Sequence, residues 1–281
     1  MIHVAINHWQ DERWIDIQLE YLEKHLPKPY RTYAFLTQLK NDYSDRYDWS
    51  SDVRIREHST KLNLLYDIIS FAADSEDDPV LFLDGDAFPI ADTTRYFEED
   101  LPKHKLVAIR RDEAGDPHPH PSWCISTVGF WRDLPGDWRK GGGAKWIGAG
   151  GREVSDVGAR VYKAVEEKNI DWKPLLRTNK RDFHPLFFAI YDDAIYHHGA
   201  GFRAARGGRK VILESGALEA EKTLRHRALM ALPKGKRTKR WRHKFSPAFQ
   251  INDRLKEEHT QISLDWYEKA KADREFYKEL M

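Results

Sequence analysis

The sequence predicts an α/β chain: a doubly wound, mostly parallel sheet flanked by helices, with a helical C-terminal extension. Three observations predict it. Strand-like and helix-like patterns alternate from residue 2 to residue 83, as parallel βαβ units do. Val80–Leu83 is a short, wholly apolar run between Pro79 and Asp84, the pattern of a central strand covered on both faces. From about Leu218 the chain is strongly charged and reads as helix. The division expected is residues 1–217 for the α/β domain and 218–281 for the extension.

Ile2–Asn7 reads as the first strand. Trp14, Ile17, Leu19, Leu22 and Leu26 follow a helical period that Pro27 and Pro29 end. Tyr30–Thr37 reads as a second strand and Asp52–Glu57 as a third, with Val53 and Ile55 on one face. Ser59 or Thr60 is expected to cap a helix whose apolar face is Leu62, Leu65, Ile68 and Ile69. Beyond the apolar run, Lys105–Arg110 and Trp123–Trp131 read as strands joined by a polar loop bearing Pro and His. Gly141–Gly151 holds six glycines and is expected to be a mobile loop. Asp156–Glu167 reads as a helix. Phe187–Ile190 and Ala194–His198 read as short strands around an Asp192–Asp193 turn.

The 281 residues are 41% hydrophobic and 12% aromatic, enough for a packed domain with a sizeable core. The net charge of +1 provides no global drive toward nucleic acid, and none is expected as a partner. Cys124 is the only cysteine, which excludes an internal disulfide and fits a reducing compartment. No signal-like segment or bilayer-length apolar run stands out, so the expected location is the cytoplasm, with peripheral attachment to the inner membrane face open to it.

The sharpest chemical feature is Asp84–Gly85–Asp86 at the end of the apolar run. Residues i and i+2 of a strand face the same side, so the two carboxylates project together and repel. A hard divalent cation, Mn²⁺ or Mg²⁺, removes that repulsion and can hold a departing diphosphate. The plainer alternative is a pair of solvated carboxylates in a turn, since Asp–Gly–Asp is good turn chemistry.

Phe82–Leu83–Asp84–Gly85–Asp86–Ala87 resembles the Asp-X-Asp motif of glycosyltransferases with the GT-A fold. The resemblance covers about residues 1–210 and implies a metal-dependent transfer of a sugar, hexosyl in type, from a nucleotide-diphosphate-sugar, with a UDP-sugar favoured. The acceptor would be a hydroxyl of a carbohydrate, a polysaccharide or a glycolipid. In the places that bind the nucleotide in that fold stand Asn7 and His8 after the first strand, and Lys61 and Asn63 opening the helix before the motif. Downstream, Ile195–Tyr196–His197–His198–Gly199–Ala200–Gly201–Phe202–Arg203 resembles the segment that completes the metal shell and meets the diphosphate. The implied ligands are Asp84, Asp86 and His198, with Asp84 also facing the nucleotide and Arg203 on the phosphates. Adjacent strand residues face opposite ways, so one of His197 and His198 reaches the metal, and His198, beside the glycines, is expected.

Trp123–Trp131 resembles the strand that lines the donor-sugar pocket, with Trp131 and Trp146 as ring-stacking candidates or core residues. The Gly141–Gly151 loop is a candidate lid. Asp156 is the candidate base of an inverting transfer, or else an N-cap with Ser155.

Two other classes compete. A haloacid-dehalogenase-type phosphatase also ends a strand with Asp-X-Asp, but Phe88 stands where a Thr or Val follows there. A non-catalytic nucleic-acid- or membrane-binding protein would use Lys234, Lys236, Arg237, Lys239, Arg240, Arg242 and Lys244, interleaved with Trp241 and Phe245. Trp241, Phe245 and Phe249 would share one helical face, with Pro247 opposing a continuous helix.

Overall fold

A computed structural model describes residues 1–134, 137–148, 153–179, 188–199 and 215–281. Its strands are β1 (Ile2–Trp9), β2 (Tyr30–Thr37), β3 (Trp49–Ser51), β4 (Pro79–Asp84), β5 (Ala87–Pro89), β6 (Val107–Arg111), β7 (Asp116–Thr127), β8 (Trp146–Ile147), β9 (Glu153–Val154), β10 (Lys173–Leu175), β11 (Ala189–Tyr191) and β12 (Ile195–His197). Seven of them form the central sheet in the order β10-β6-β7-β4-β1-β2-β3. All pairings are parallel except those of β7, which runs antiparallel to both β4 and β6. The doubly wound, mostly parallel sheet predicted from the sequence is the architecture found.

The strand order reverses at β1: β2 lies on one side and β4 on the other. Crossovers on opposite faces then leave a crevice between the carboxyl ends of β1 and β4. Helix α1 (Ile15–His25) covers one face and α2 (His58–Ala72) the other. The side chains of β4 alternate accordingly. Leu81 and Leu83 join the cluster containing Ile15 and Leu22 of α1, and Val80 and Phe82 join that containing Leu62 and Leu65 of α2. Each such buried apolar side chain contributes about 1.5–3 kcal/mol of transfer free energy, which is why an unbroken apolar run belongs at the centre.

Several boundaries differ from expectation. The third strand is Trp49–Ser51 rather than 52–57, and Val53 is solvent-exposed. Helix α2 opens at His58, with no side-chain cap from Ser59 or Thr60. The segment 116–121, expected as a loop, belongs to β7. Its three prolines are accommodated where β6 and β7 shift register around Ile109. Conversely, strand structure ends at Thr127, and Val128–Asp133 is a helix capped by the Thr127 side chain on Phe130 N.

A small second sheet, β11-β12-β5, is antiparallel throughout, and its β11–β12 hairpin turns through Asp192 and Asp193, both with positive φ. The C-terminal region is helical as expected. Its long helix Pro247–Ala272 returns to the α/β body, where Trp266, Ala270, Phe276 and Leu280 share a buried cluster with Trp14, Ile17, Phe88 and Tyr196. No described helix is long and apolar enough to cross a membrane.

Candidate metal and nucleotide site

The crevice between β1 and β4 holds a cleft of about 270 Å³ lined by Asn7, His8, Trp9, Asp84, Asp86 and His197, among others. Two backbone features aim the carboxylates into it. Gly85 N donates to Asn7 O at 3.0 Å, closing the turn of the motif onto β1. A Cβ at Gly85 would lie 2.5 Å from His8 Nδ1 and 2.6 Å from Asn7 O, so only glycine permits this approach. Gln18, fully buried on α1, donates its side-chain amide to both Asp84 O (2.8 Å) and Ala87 O (2.7 Å), clamping the two ends of the turn. Nothing in the sequence marked Gln18, which sits at an apolar position of the α1 pattern.

The strand that leaves the motif brings in the histidine. β5 pairs with β12 so that Ala87 is opposite His197, and His198 N donates to Asp86 O at 3.0 Å. This pairing fixes the strand's phase. His197 Nε2 lies 3.6 Å from Asp86 Oδ1 and 3.9 Å from Asp84 Oδ2. His198, the expected ligand, faces the other way. Tyr196 Oη and Ser263 Oγ hold its two ring nitrogens at 2.9 and 2.8 Å, and Trp14 packs against its ring. Strand alternation allowed one histidine in the site, and the β5–β12 ladder selects His197.

Asp84, Asp86 and His197 each offer a ligand atom, all within 4.8 Å of one another. The two oxygen–nitrogen separations are too long for hydrogen bonds. A hard cation with ligand bonds of about 2.1 Å can touch atoms about 4.2 Å apart, and the His197 nitrogen lies within that span of an oxygen of each aspartate. His58, the first residue of α2, places Nε2 3.1 Å from Asp84 Oδ1. Sequence reading missed it. Its signal was its place at the start of the helix that precedes the motif strand. Burial pushes the pKa of Asp84 up, but His58, His197 and Arg111 outweigh it and hold the carboxyl below its ordinary value.

Asn7 is buried, and neither of its side-chain amide atoms has a hydrogen-bond partner among the described residues. His8 is also buried and donates to or accepts from Tyr47 Oη at 3.1 Å; burial pushes its pKa down to about 3. Lys61 is buried beside the cleft with its ammonium 4.7 Å from the Trp9 ring; burial lowers its pKa to about 8, opposed by the Asp84 charge. Asn63 does not line the cleft. Its Oδ1 accepts from Trp138 N at 3.1 Å, a structural role.

The two tryptophans are core residues. Trp131 stacks on Trp138 with centroids 4.9 Å apart, and Trp146 packs on His118 at 4.6 Å. From β7 the cleft receives His120 and Pro121, not the segment 123–131. The described part of the glycine-rich loop is tethered: Gly141 N donates to Ser155 Oγ and Lys163 Nζ to Gly142 O. Asp156 lines the cleft beside Arg111 and is exposed. Gly158 occupies the N-cap of the helix Ala159–Glu167, and among the described residues the Asp156 carboxylate bonds only Val157 N, at 2.8 Å. The capping alternative for Asp156 and Ser155 is therefore not what the structure shows. Arg203 lies outside the described residues.

No protein-family model matches the chain, and no curated protein matches it. Among solved structures it resembles S. aureus TarS residues 1–349 at a TM-score of 0.41 and 11% identity, over 81% of this chain and 67% of that one. The galactosyltransferase LgtC in complex with donor and acceptor sugar analogues gives 0.31 and 16%, over 47% and 59%. The glycosyltransferase GlyE of Streptococcus pneumoniae TIGR4 gives 0.30 and 18%, over 46% and 34%. The match to a longer TarS structure spans only 30% of that chain. At these TM-scores the likenesses carry no functional argument.

Proposed function

We propose that this chain is a metal-dependent glycosyltransferase that takes a hexosyl group from a nucleotide-diphosphate-sugar, with a UDP-sugar favoured, to a hydroxyl of a saccharide or glycolipid acceptor. The observation that carries the proposal is the convergence of Asp84, Asp86 and His197 at the crevice where the strand order reverses. Asp84, Asp86 and His197 would hold Mn²⁺ or Mg²⁺, which when bound supplies Lewis-acid neutralisation of the charge that grows on a leaving diphosphate. Asn7 offers an unpaired donor and acceptor to the nucleoside, and Lys61 places a cation next to the acidic pair. Arg203 is proposed for the phosphates. Asp156, exposed at the cleft, is proposed to take the proton of the acceptor hydroxyl in an inverting transfer.

The test is a thermal-shift screen of nucleotide-sugars with and without Mn²⁺, because a ligand that binds only the folded state raises Tm. A rise with a UDP-sugar that requires the metal supports the proposal. No rise with any nucleotide-sugar in Mn²⁺ contradicts it.

A further inference from the structure

The region between the α/β body and the long C-terminal helix carries a concentrated charge of one sign. Between Glu221 and Asp253 the sequence has no acidic residue, while Lys222, Arg225, Arg227, Lys234, Lys236, Arg237, Lys239, Arg240, Arg242 and Lys244 are basic. The structure folds this stretch into two helices, Leu224–Ala231 and Lys236–Phe245, neither of which has a buried residue. Arg242 joins them: its guanidinium donates to Leu229 O at 3.1 Å and Leu232 O at 2.6 Å. It is a structural clamp and is not available to a partner.

The remaining bases face water. Lys236, Lys239, Arg240, His243 and Lys244 line one shallow surface of the second helix, the i, i+3/i+4, i+7/i+8 spacing of a single face. Lys236, Lys239, Arg240 and Lys244 form no ion pair with any described residue, Glu257 and Glu258 included. On the flank of the same helix turned away from Lys236, Trp241 and Phe245 are 44% and 38% exposed, and Arg237 and Lys244 reach over their respective rings. The first helix exposes Leu224 and Met230 as well. Ser246 ends the hairpin and caps the long helix, with Pro247 at its first turn, so Trp241 and Phe249 do not lie on one continuous helix.

We infer that this helical hairpin is a docking surface for an anionic lipid bilayer. Basic side chains gain about 1 kcal/mol each near such a surface, and exposed aromatic and aliphatic side chains settle at the headgroup boundary. Single-stranded nucleic acid would reward the bases and the two rings, but not Leu224 or Met230. The hairpin leads directly into the long helix whose Ser263 bonds His198, next to the proposed ligand His197. A bilayer bound there would sit at a fixed orientation to the cleft, as an acceptor carried on a lipid requires.

Co-sedimentation with vesicles tests this without any donor or metal, so its outcome is separate from that of the transferase reading. Wild type should pellet with phosphatidylglycerol-containing vesicles at low salt, release as salt rises, and ignore pure phosphatidylcholine. Changing Lys236, Lys239, Arg240 and Lys244 together to Gln should weaken binding by roughly tenfold or more. Trp241→Ala with Phe245→Ala should weaken it and leave the salt dependence in place. All six positions are exposed, and an unchanged circular dichroism spectrum verifies that the variants fold. The inference is overturned if wild type ignores anionic vesicles at low salt, or if either variant binds as wild type does. Tighter binding to single-stranded polynucleotide than to vesicles of equal phosphate concentration would also overturn it.

Discussion

Asn7 and Asp84 are register partners at the carboxyl ends of the adjacent parallel strands β1 and β4. The polar atoms of Asn7 are buried without partners, while Asp84 is engaged by His58. Keeping an unpaired amide buried costs about 1–3 kcal/mol, a cost that a bound nucleotide can offset. Asn7→Leu, which keeps the same branched shape and number of heavy atoms without the polar groups, should therefore leave stability in urea unchanged or raised, and weaken donor binding about tenfold or more. Unchanged donor affinity would remove Asn7 from the binding site.

The two neighbouring histidines should separate cleanly. His197→Ala removes a proposed ligand atom and should weaken Mn²⁺ binding, read by electron paramagnetic resonance, by about tenfold or more, with little change in Tm. His198→Ala leaves Tyr196 Oη and Ser263 Oγ without their buried partner and should cost about 1–3 kcal/mol of stability, with Mn²⁺ binding retained. The reverse pattern would restore His198 as the ligand.

Asp156 should behave as a chemical and not a structural residue. Asp156→Asn is expected to bind donor normally and to lose roughly 10²–10⁴-fold in turnover. Gly158 holds the helix N-cap, so stability should move by less than about 0.5 kcal/mol. Net retention at the anomeric carbon, seen by NMR of the product, would contradict the assignment.

His118 gives a pH signature of the fold itself. It is fully buried, and burial lowers its pKa from 6.5 to about 4. The folded chain thus refuses a proton that the unfolded chain accepts, so stability rises with pH across that window and is unaffected above it. Each pH unit between about 6.5 and about 4 costs up to about 1.4 kcal/mol from this one group. His118→Phe keeps a ring against Trp146 and should flatten this acid limb in urea unfolding. An identical pH slope in the variant would refute it.

The central strand and its acids were legible because burial on both faces demands an unbroken apolar run and the motif ends it. Helices α1 and α2 were legible from period alone, and the β11–β12 hairpin from its paired aspartates. What the sequence hid was long-range. The choice of His197 depends on pairing with β5, more than 100 residues earlier in the chain. The strand Asp116–Thr127 hid behind three prolines that a register shift accommodates. Asn63 and Trp131 carried the right chemistry for a site, but Trp138 claims both, one by a hydrogen bond and one by stacking. Gln18 and Arg111 carried no signal, because each reaches the motif from a separate element, and His58 had only its place at the start of the helix before the motif strand.

The measurement closest to the central claim is calorimetric titration of UDP into wild type and Asp86→Ala, each in Mn²⁺ and then in excess EDTA. The account predicts binding by wild type in Mn²⁺ alone, abolished by EDTA, restored by added Mn²⁺ and absent from Asp86→Ala, whose carboxylate faces the cleft and not the core. Binding of equal strength in EDTA, or by Asp86→Ala in Mn²⁺, would contradict it.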